Sequence, residues 1–336
     1  MQLVFAFPAH EAAIKAIAIS RDGRLAATAS SDETVQVFDL AKRRSVSQAI
    51  GAHNDPVTHV AFAGDLVLSG DAAGRILMFR HGKAIHELRG HKADSAVSSI
   101  AVHPSNGVAL STAGDNSLRS WDLANAKAAP RMRFDDFKTL ACACWSPDGA
   151  LYGFVGDEKT VVVKNPDAVD ERPLGTMVHP KRVNDLAFIE DVVLVSACDD
   201  GVLRVIGADG SLVRSFACAQ DGERPVRMRA AAGCKLDDAM YVFGACSDGV
   251  VRVWDIDDDD GNDPVALLKI GTAAHVVCMA VAPLARQSGA PDVDAPKPAA
   301  AAVAAVAAVA ATTATAATAS TTATAAGKKK KRRTNV

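Results

Sequence analysis

Five aspartates recur at a nearly constant interval, each six residues ahead of a hydrophobic or aromatic position: Asp32/Phe38, Asp115/Trp121, Asp157/Val163, Asp200/Ile206 and Asp248/Trp254. A sixth copy lies between the first two, with Ala73 in the aspartate's place and Phe79 in the aromatic's. The markers at 32, 73, 115, 157, 200 and 248 are therefore 41, 42, 42, 43 and 48 residues apart. In the first copy, apolar and β-branched runs predict strands over 14–19, 25–30 and 35–39, separated by turns at Arg21-Asp22-Gly23 and Asp32-Glu33. Pro104-Ser105-Asn106-Gly107 and Pro147-Asp148-Gly149 repeat the first of these turns. Runs such as Val192-Val193-Leu194-Val195 are continuous rather than alternating, as strands covered on both faces require. A strand-and-turn repeat of about 40–45 residues signals a β-propeller with four strands per blade.

Trp121-Asp122, Trp254-Asp255 and the softened Phe38-Asp39, with His10, His53, His91 and His179 ahead of most units, resemble the WD-repeat family. That resemblance implies a histidine–aspartate pair fixing the second turn of a blade, with the tryptophan packed beneath it. His10 with Asp32, His91 with Asp115 and His179 with Asp200 are the expected pairs. The second, fourth and sixth units each lack one partner, and apolar packing is expected to hold them; Asp157 and Asp248 stand there without a histidine.

The expected fold is an all-β WD-repeat propeller over 1–283, with six complete four-stranded blades and a partial seventh. An Ala/Thr/Pro-rich low-complexity spacer, 284–327, and a disordered basic tail, 328–336, follow it. Alanine's helix preference suits the spacer to a frayed helix. Residues 265–270 are expected as an outer strand. At the seam, Leu3 to Phe7 are expected as the outermost strand of the closing blade and His275 to Ala282 as its innermost. Its two middle strands are expected from sequence ahead of Met1, with the start codon placed too late.

Composition narrows the function. The seven cysteines sit mostly in apolar runs, at neither disulfide-framework nor zinc spacing, and read as buried free thiols in a reducing compartment. The N-terminus has no basic region and too short an apolar run for a signal peptide. Between Ala299 and Ala326 there is no charge, but Val303, Val306 and Val309 are its strongly lipophilic residues and threonines crowd its second half, so no membrane span is expected. Residues 328–333 carry six positive charges, so the net charge of −2 becomes −8 for the rest of the chain. Nucleic-acid contact is therefore expected through the tail alone. The acidic run Asp257 to Asp263 lacks the alternating carboxylates of a calcium loop and reads as solvated. No GxSxG, Gly-rich phosphate loop, HExxH or CxxC occurs, so no catalytic residue, metal or cofactor is expected.

The stretches 101–111, 114–123, Trp145-Ser146-Pro147-Asp148-Gly149 and Val276-Val277-Cys278-Met279-Ala280-Val281, with the lysine-rich C-terminus, resemble the p21-activated kinase-interacting protein 1 family. The resemblance spans residues 1 to about 283. It implies a nucleolar, non-enzymatic protein needed for maturation of the large ribosomal subunit, with pre-60S assembly factors as partners. In animals it also implies binding and restraint of a p21-activated kinase. The alternatives are a generic cytoplasmic WD-repeat signalling scaffold and a ubiquitin-ligase substrate receptor. The second is disfavoured because Leu123-Ala124 and Ile256-Asp257 stand where a Trp-Asp-x-Arg motif would continue.

The residue after the first apolar position of each inner strand is expected to face partners, giving Lys15, Thr58, Ser98, Ala141, Asn184 and Arg227. Of these, Lys15, Asn184 and Arg227 are the candidate contacts. Lys328, Lys329, Lys330, Lys331, Arg332 and Arg333 are expected to direct the chain to the nucleus and to hold it near nucleolar pre-rRNA, because clustered cations suit acidic import receptors and phosphate backbones.

Overall fold

The computed structural model describes residues 10–283, apart from 50, 131, 133, 135, 169–171, 219–225, 237–238, 259–262 and 270–273, together with 305–313. Six antiparallel four-stranded sheets follow one another along the chain, each ordered a-b-c-d from its first strand to its fourth. The first three strands of blade one are Ile14–Ile19, Leu25–Ser30 and Val35–Asp39, where the apolar runs predict them. Gly23 and Gly149 turn the a–b hairpins of blades one and four at φ 69° and 80°, a region that costs glycine little.

Burial explains the unbroken apolar runs. Strand c of blade one, Val35–Asp39, is buried at every residue, whereas strand d, Arg44–Ala49, is buried only at Ala49. Each blade is thus covered at its middle strands and wetted at its rim. The apolar clusters lie between neighbouring blades. Val37, Val57 and Phe79 join blades one and two, and Val205, Phe216, Met228 and Trp254 join blades five and six. Among the described residues each apolar cluster includes side chains from more than one set of strands, which is why the repeat must close.

Closure is sevenfold at the axis. The inner strands Ile14–Ile19, Val57–Ala63, Val97–Val102, Leu140–Trp145, Val183–Glu190 and Met228–Leu236 touch in sequence, and Ala274–Pro283 contacts both the last and the first of them. Side chains sew the ring. Thr58 donates its hydroxyl to the Val97 carbonyl (2.7 Å) and Asn184 its amide to the Met228 carbonyl (2.7 Å). Ser99 accepts the Ala143 N–H (3.1 Å), and Asp185 accepts the Ala231 N–H (3.0 Å).

The seam departs from expectation. Ala305–Thr313, inside the segment read as a spacer and suited to a frayed helix, is a strand paired antiparallel with Ala274–Pro283, from Ala274↔Thr313 to Pro283↔Ala305. It also touches Ile14–Ile19. The strand paired with Ala274–Pro283 therefore comes from downstream of it. The physical reason is that the unpaired edge of an inner strand offers a full ladder of hydrogen bonds, and this tertiary gain overrides alanine's helical preference. Leu3 to Phe7 lie outside the described residues. Among the described residues no helix is long and apolar enough to cross a membrane.

Candidate interaction site

Each blade's inner strand begins, and its b–c turn lies, at the same end of the propeller, so the histidine ahead of strand a meets the acid of that turn. In blade one, His10 Nδ1 lies 3.0 Å from Asp32 and 2.9 Å from Thr34 Oγ1, while Nε2 lies 2.7 Å from Thr28 Oγ1. In blade three, His91 Nδ1 is 3.2 Å from Asp115, Nε2 is 2.6 Å from Ser111 Oγ, and Trp121 Nε1 donates to that same serine at 2.8 Å. The tryptophan is thus a fully buried end of a four-residue chain. Phe38 occupies its place in blade one, buried but with no ring nitrogen to give.

Two expected arrangements change. The second unit does have a partner for its histidine: His53 Nδ1 lies 2.9 Å from Asp71, and Nε2 lies 2.6 Å from Ser69. The acid sits at the end of strand b, two residues before the position the spacing favours, and still accepts the turn amides of Ala73 and Arg75. In blade five, His179 does not bond to Asp200. Its Nε2 meets Ser196 at 2.8 Å, its Nδ1 finds no partner among the described residues, and Asp200 is taken by Arg204 at 2.6 Å. A full cation four residues on competes better for the carboxylate than a histidine whose burial disfavours its charge. Asp248 pairs with Arg252 in the same way at 2.8 Å, and Asp157 accepts the Lys138 and Thr139 N–H groups. The fourth and sixth units are therefore held by polar contacts as well as packing. The Asp-x-x-x-Arg spacing at 71/75, 200/204 and 248/252, which also occurs at 115/119, is the sequence signal for these pairs.

Burial alone would raise the Asp32 and Asp115 carboxyls, but hydrogen bonds from Thr34 and Ser117 and from backbone N–H groups, with the neighbouring histidines, hold both below the ordinary value. Burial pushes His10 down despite Asp32, and pushes His179 down further helped by the Arg204 charge. Within the ring wall, burial brings His59 down to about 4 and Asp185 up to about 7. Both are enclosed by protein mass while keeping some contact with solvent. Neither belongs to a recognised motif; their signal in the sequence is a polar residue third in the matching runs Val57-Thr58-His59-Val60-Ala61-Phe62 and Val183-Asn184-Asp185-Leu186-Ala187-Phe188.

The expected contact row is placed as follows. Lys15 and Ser98 are exposed, while Thr58 and Asn184 are half-buried and spend their donors on the next blade, Asn184 also bonding Asp199 at 2.8 Å. Arg227 is exposed but is not the equivalent residue. Met228 opposes Cys246 as Val183 opposes Cys198, so Arg229 holds that place, 3.9 Å from Asp199. Val226 reads as the first apolar residue in sequence, yet the pairing starts two residues later. Lys328 to Arg333 lie outside the described residues. A cavity of about 170 Å³ between blades one and two is lined mainly by apolar groups such as Val46, Phe62 and Phe79, with Asp65 and His81 at its edge; Asp65 already pairs with Arg80. Among the described residues no cluster of three or more His, Cys, Asp or Glu side chains could hold a metal. The arrangement offers rims, turns and exposed charges for binding.

Comparison with known proteins agrees with this geometry. Residues 1–39 and 82–122 match the model of the WD domain, G-beta repeat. The p21-activated protein kinase-interacting protein 1-like protein of Xenopus laevis is 30% identical over 286 residues, covering 82% of this chain and 73% of that protein. Its counterpart in Gallus gallus is 29% identical over 283 residues, covering 82% and 72%. Shk1 kinase-binding protein 15 of Schizosaccharomyces pombe is 28% identical over 260 residues, covering 75% and 70%. The repeat, the blade geometry and a likeness that runs through most of both chains make this protein a member of the p21-activated protein kinase-interacting protein 1 family of WD-repeat proteins.

Proposed function

We propose that this protein is a non-enzymatic platform that binds pre-60S assembly factors during nucleolar maturation of the large ribosomal subunit. Family membership is the observation that carries the reading. A closed ring sewn by inter-blade hydrogen bonds, with charged turns at its rims, suits the holding of several partners. The basic tail fits the same site of action, as an import signal and a phosphate-seeking segment. Purification of the tagged full-length chain, followed by sedimentation and mass spectrometry, is expected to recover large-subunit precursors. Recovery of cytoplasmic signalling proteins without such precursors overturns it in favour of a signalling scaffold.

A second reading, binding and restraint of a p21-activated kinase, is favoured by the names of the relatives, which include a kinase-interacting protein in vertebrates and a kinase-binding protein in fission yeast. It is tested by measuring binding of the purified chain to the regulatory half of such a kinase. Loss of binding on Lys15→Glu or Arg227→Glu places the contact on the end of the ring where the inner strands begin.

A further inference from the structure

The core between blades five and six contains three sulfur atoms whose chemistry the proposed function does not use. Cys218 follows the outer strand of blade five, Leu212–Ala217, and Cys246 ends the second strand of blade six, Ala239–Cys246. Their Sγ atoms are 2.7 Å apart, and the Met228 sulfur is 3.8 Å from each. Phe216, Val242 and Trp254 pack in the same cluster, and both thiols are buried.

Two chemistries could use such a trio. A soft metal held at about 2.3 Å from each thiolate would see sulfurs 2.7 Å apart under an angle of about 70°, far narrower than a tetrahedral site needs. A disulfide needs the same two atoms at about 2.05 Å, an approach of under 1 Å. The geometry excludes the first and leaves the second.

We propose that Cys218 and Cys246 are a redox pair which a hydroperoxide converts to a disulfide, covalently fastening blade five to blade six. One thiol gives up its proton, and its thiolate attacks a peroxide oxygen to become a sulfenic acid as the O–O bond breaks; the hydroxide that leaves takes up that proton as water. The other thiol then attacks that sulfur, its proton departing with the hydroxyl as a second water. The two cysteines lose two electrons and two hydrogens to one hydrogen peroxide, which becomes two waters. A thiol in excess reverses the step by exchange. The hydrogen bond to Cys246, and then burial, raise the Cys218 thiol well above its ordinary value, so the thiolate is scarce in the closed ring. Oxidation is accordingly slow at neutral pH and speeds as pH rises or as the blade interface opens. The crosslink closes a loop from 218 to 246 and limits the unfolded chain, so the oxidised ring melts higher.

The test treats the native full-length protein with hydrogen peroxide, blocks remaining thiols after denaturation, and maps tryptic peptides. Cys218 falls in 215–227 and Cys246 in 236–252, each apart from the other five cysteines. The expected product is these two peptides joined and lighter than their sum by two hydrogens, with five of the seven thiols still open to alkylation. Excess thiol should reverse it, and the melting temperature of the oxidised form should be higher by roughly 5 °C. Cys246→Ser should lose the joined peptide and the rise in melting temperature, whereas Cys198→Ala should keep both. Sulfinic or sulfonic acid on Cys218 with Cys246 free, or oxidation of Cys142 and Cys278 while both 218 and 246 stay alkylatable, overturns the proposal without touching the proposed function.

Discussion

In blade three the acid of the tight turn faces its histidine, Asp115 to His91 at 3.2 Å, and the tryptophan beneath joins them through Ser111. In blade five the corresponding Asp200 faces Arg204 at 2.6 Å, His179 keeps its serine, and Ile206 fills the tryptophan's place. The strand order and turns of the two sheets are the same. A propeller blade therefore needs its turn acid satisfied, but the fold accepts either a histidine–serine network or an arginine ion pair as the means. The two choices differ in what they cost to break and in how they respond to pH.

The largest expected difference lies in the core. Trp121→Ala should cost about 3–5 kcal/mol, because it empties a large buried volume and removes the Ser111 partner. Ile206→Ala, with a smaller side chain removed from the same depth, should cost about 2–4 kcal/mol. Denaturant unfolding of the two variants measures this, and equal midpoints for Trp121→Ala and the parent would show the blades to be mis-registered.

Next come the turn acids. Asp200→Ala leaves the Arg204 side chain, 12% exposed, without its carboxylate, and should cost about 2–4 kcal/mol. Adding Arg204→Met should recover most of that, since a partly buried pair gains little over an apolar replacement. Asp115→Ala should cost about 1–3 kcal/mol through the lost acceptor for Ser117, Lys92 and His91. If the double variant of blade five is no more stable than Asp200→Ala, the ion pair contributes more than its geometry implies.

A buried carboxyl sharpens the comparison within blade five. Asp185 is raised to about 7 by burial, so its contribution is fully present below the unfolded value of 3.8 and is lost as pH rises through 7. Asp185→Asn keeps an oxygen for the Ala231 N–H, and should stabilise the protein by roughly 1–3 kcal/mol at pH 8, the gain shrinking steadily as pH falls from 7 toward 3.8. Unchanged unfolding midpoints at pH 8 would show Asp185 to be ionised without penalty.

The smallest effect is the pH slope of the histidines. His179 is lowered from 6.5, so its contribution is whole above that value and is lost as pH falls through its folded value. Asp115, lowered from 3.8, keeps its contribution until far more acid conditions. His179→Gln should therefore reduce the loss of stability between pH 7 and 5 by less than about 1 kcal/mol, with His10 and His59 supplying the remainder. Unfolding series at pH 5, 6 and 7 measure that difference.

Much of this protein is written in local pattern. The spacing of Asp32 through Asp248 and the apolar runs between turns determined the blade count and the strand positions, because strand, turn and burial on both faces leave a signature within about ten residues. The motifs also determined the family. What the tertiary structure decided is which side chains meet. Arg204 takes Asp200 from His179, Asp71 serves His53 from an unexpected position, and pairing with Cys246 puts Arg229, not Arg227, in the inner row. Ala305–Thr313 becomes a strand although its composition favours helix. Cys218 and Cys246 come together across a blade interface that sequence spacing does not announce. Partner choice depends on competition among groups brought close by ring closure, and a free strand edge or a nearby cation outweighs a local preference of a fraction of a kcal/mol per residue.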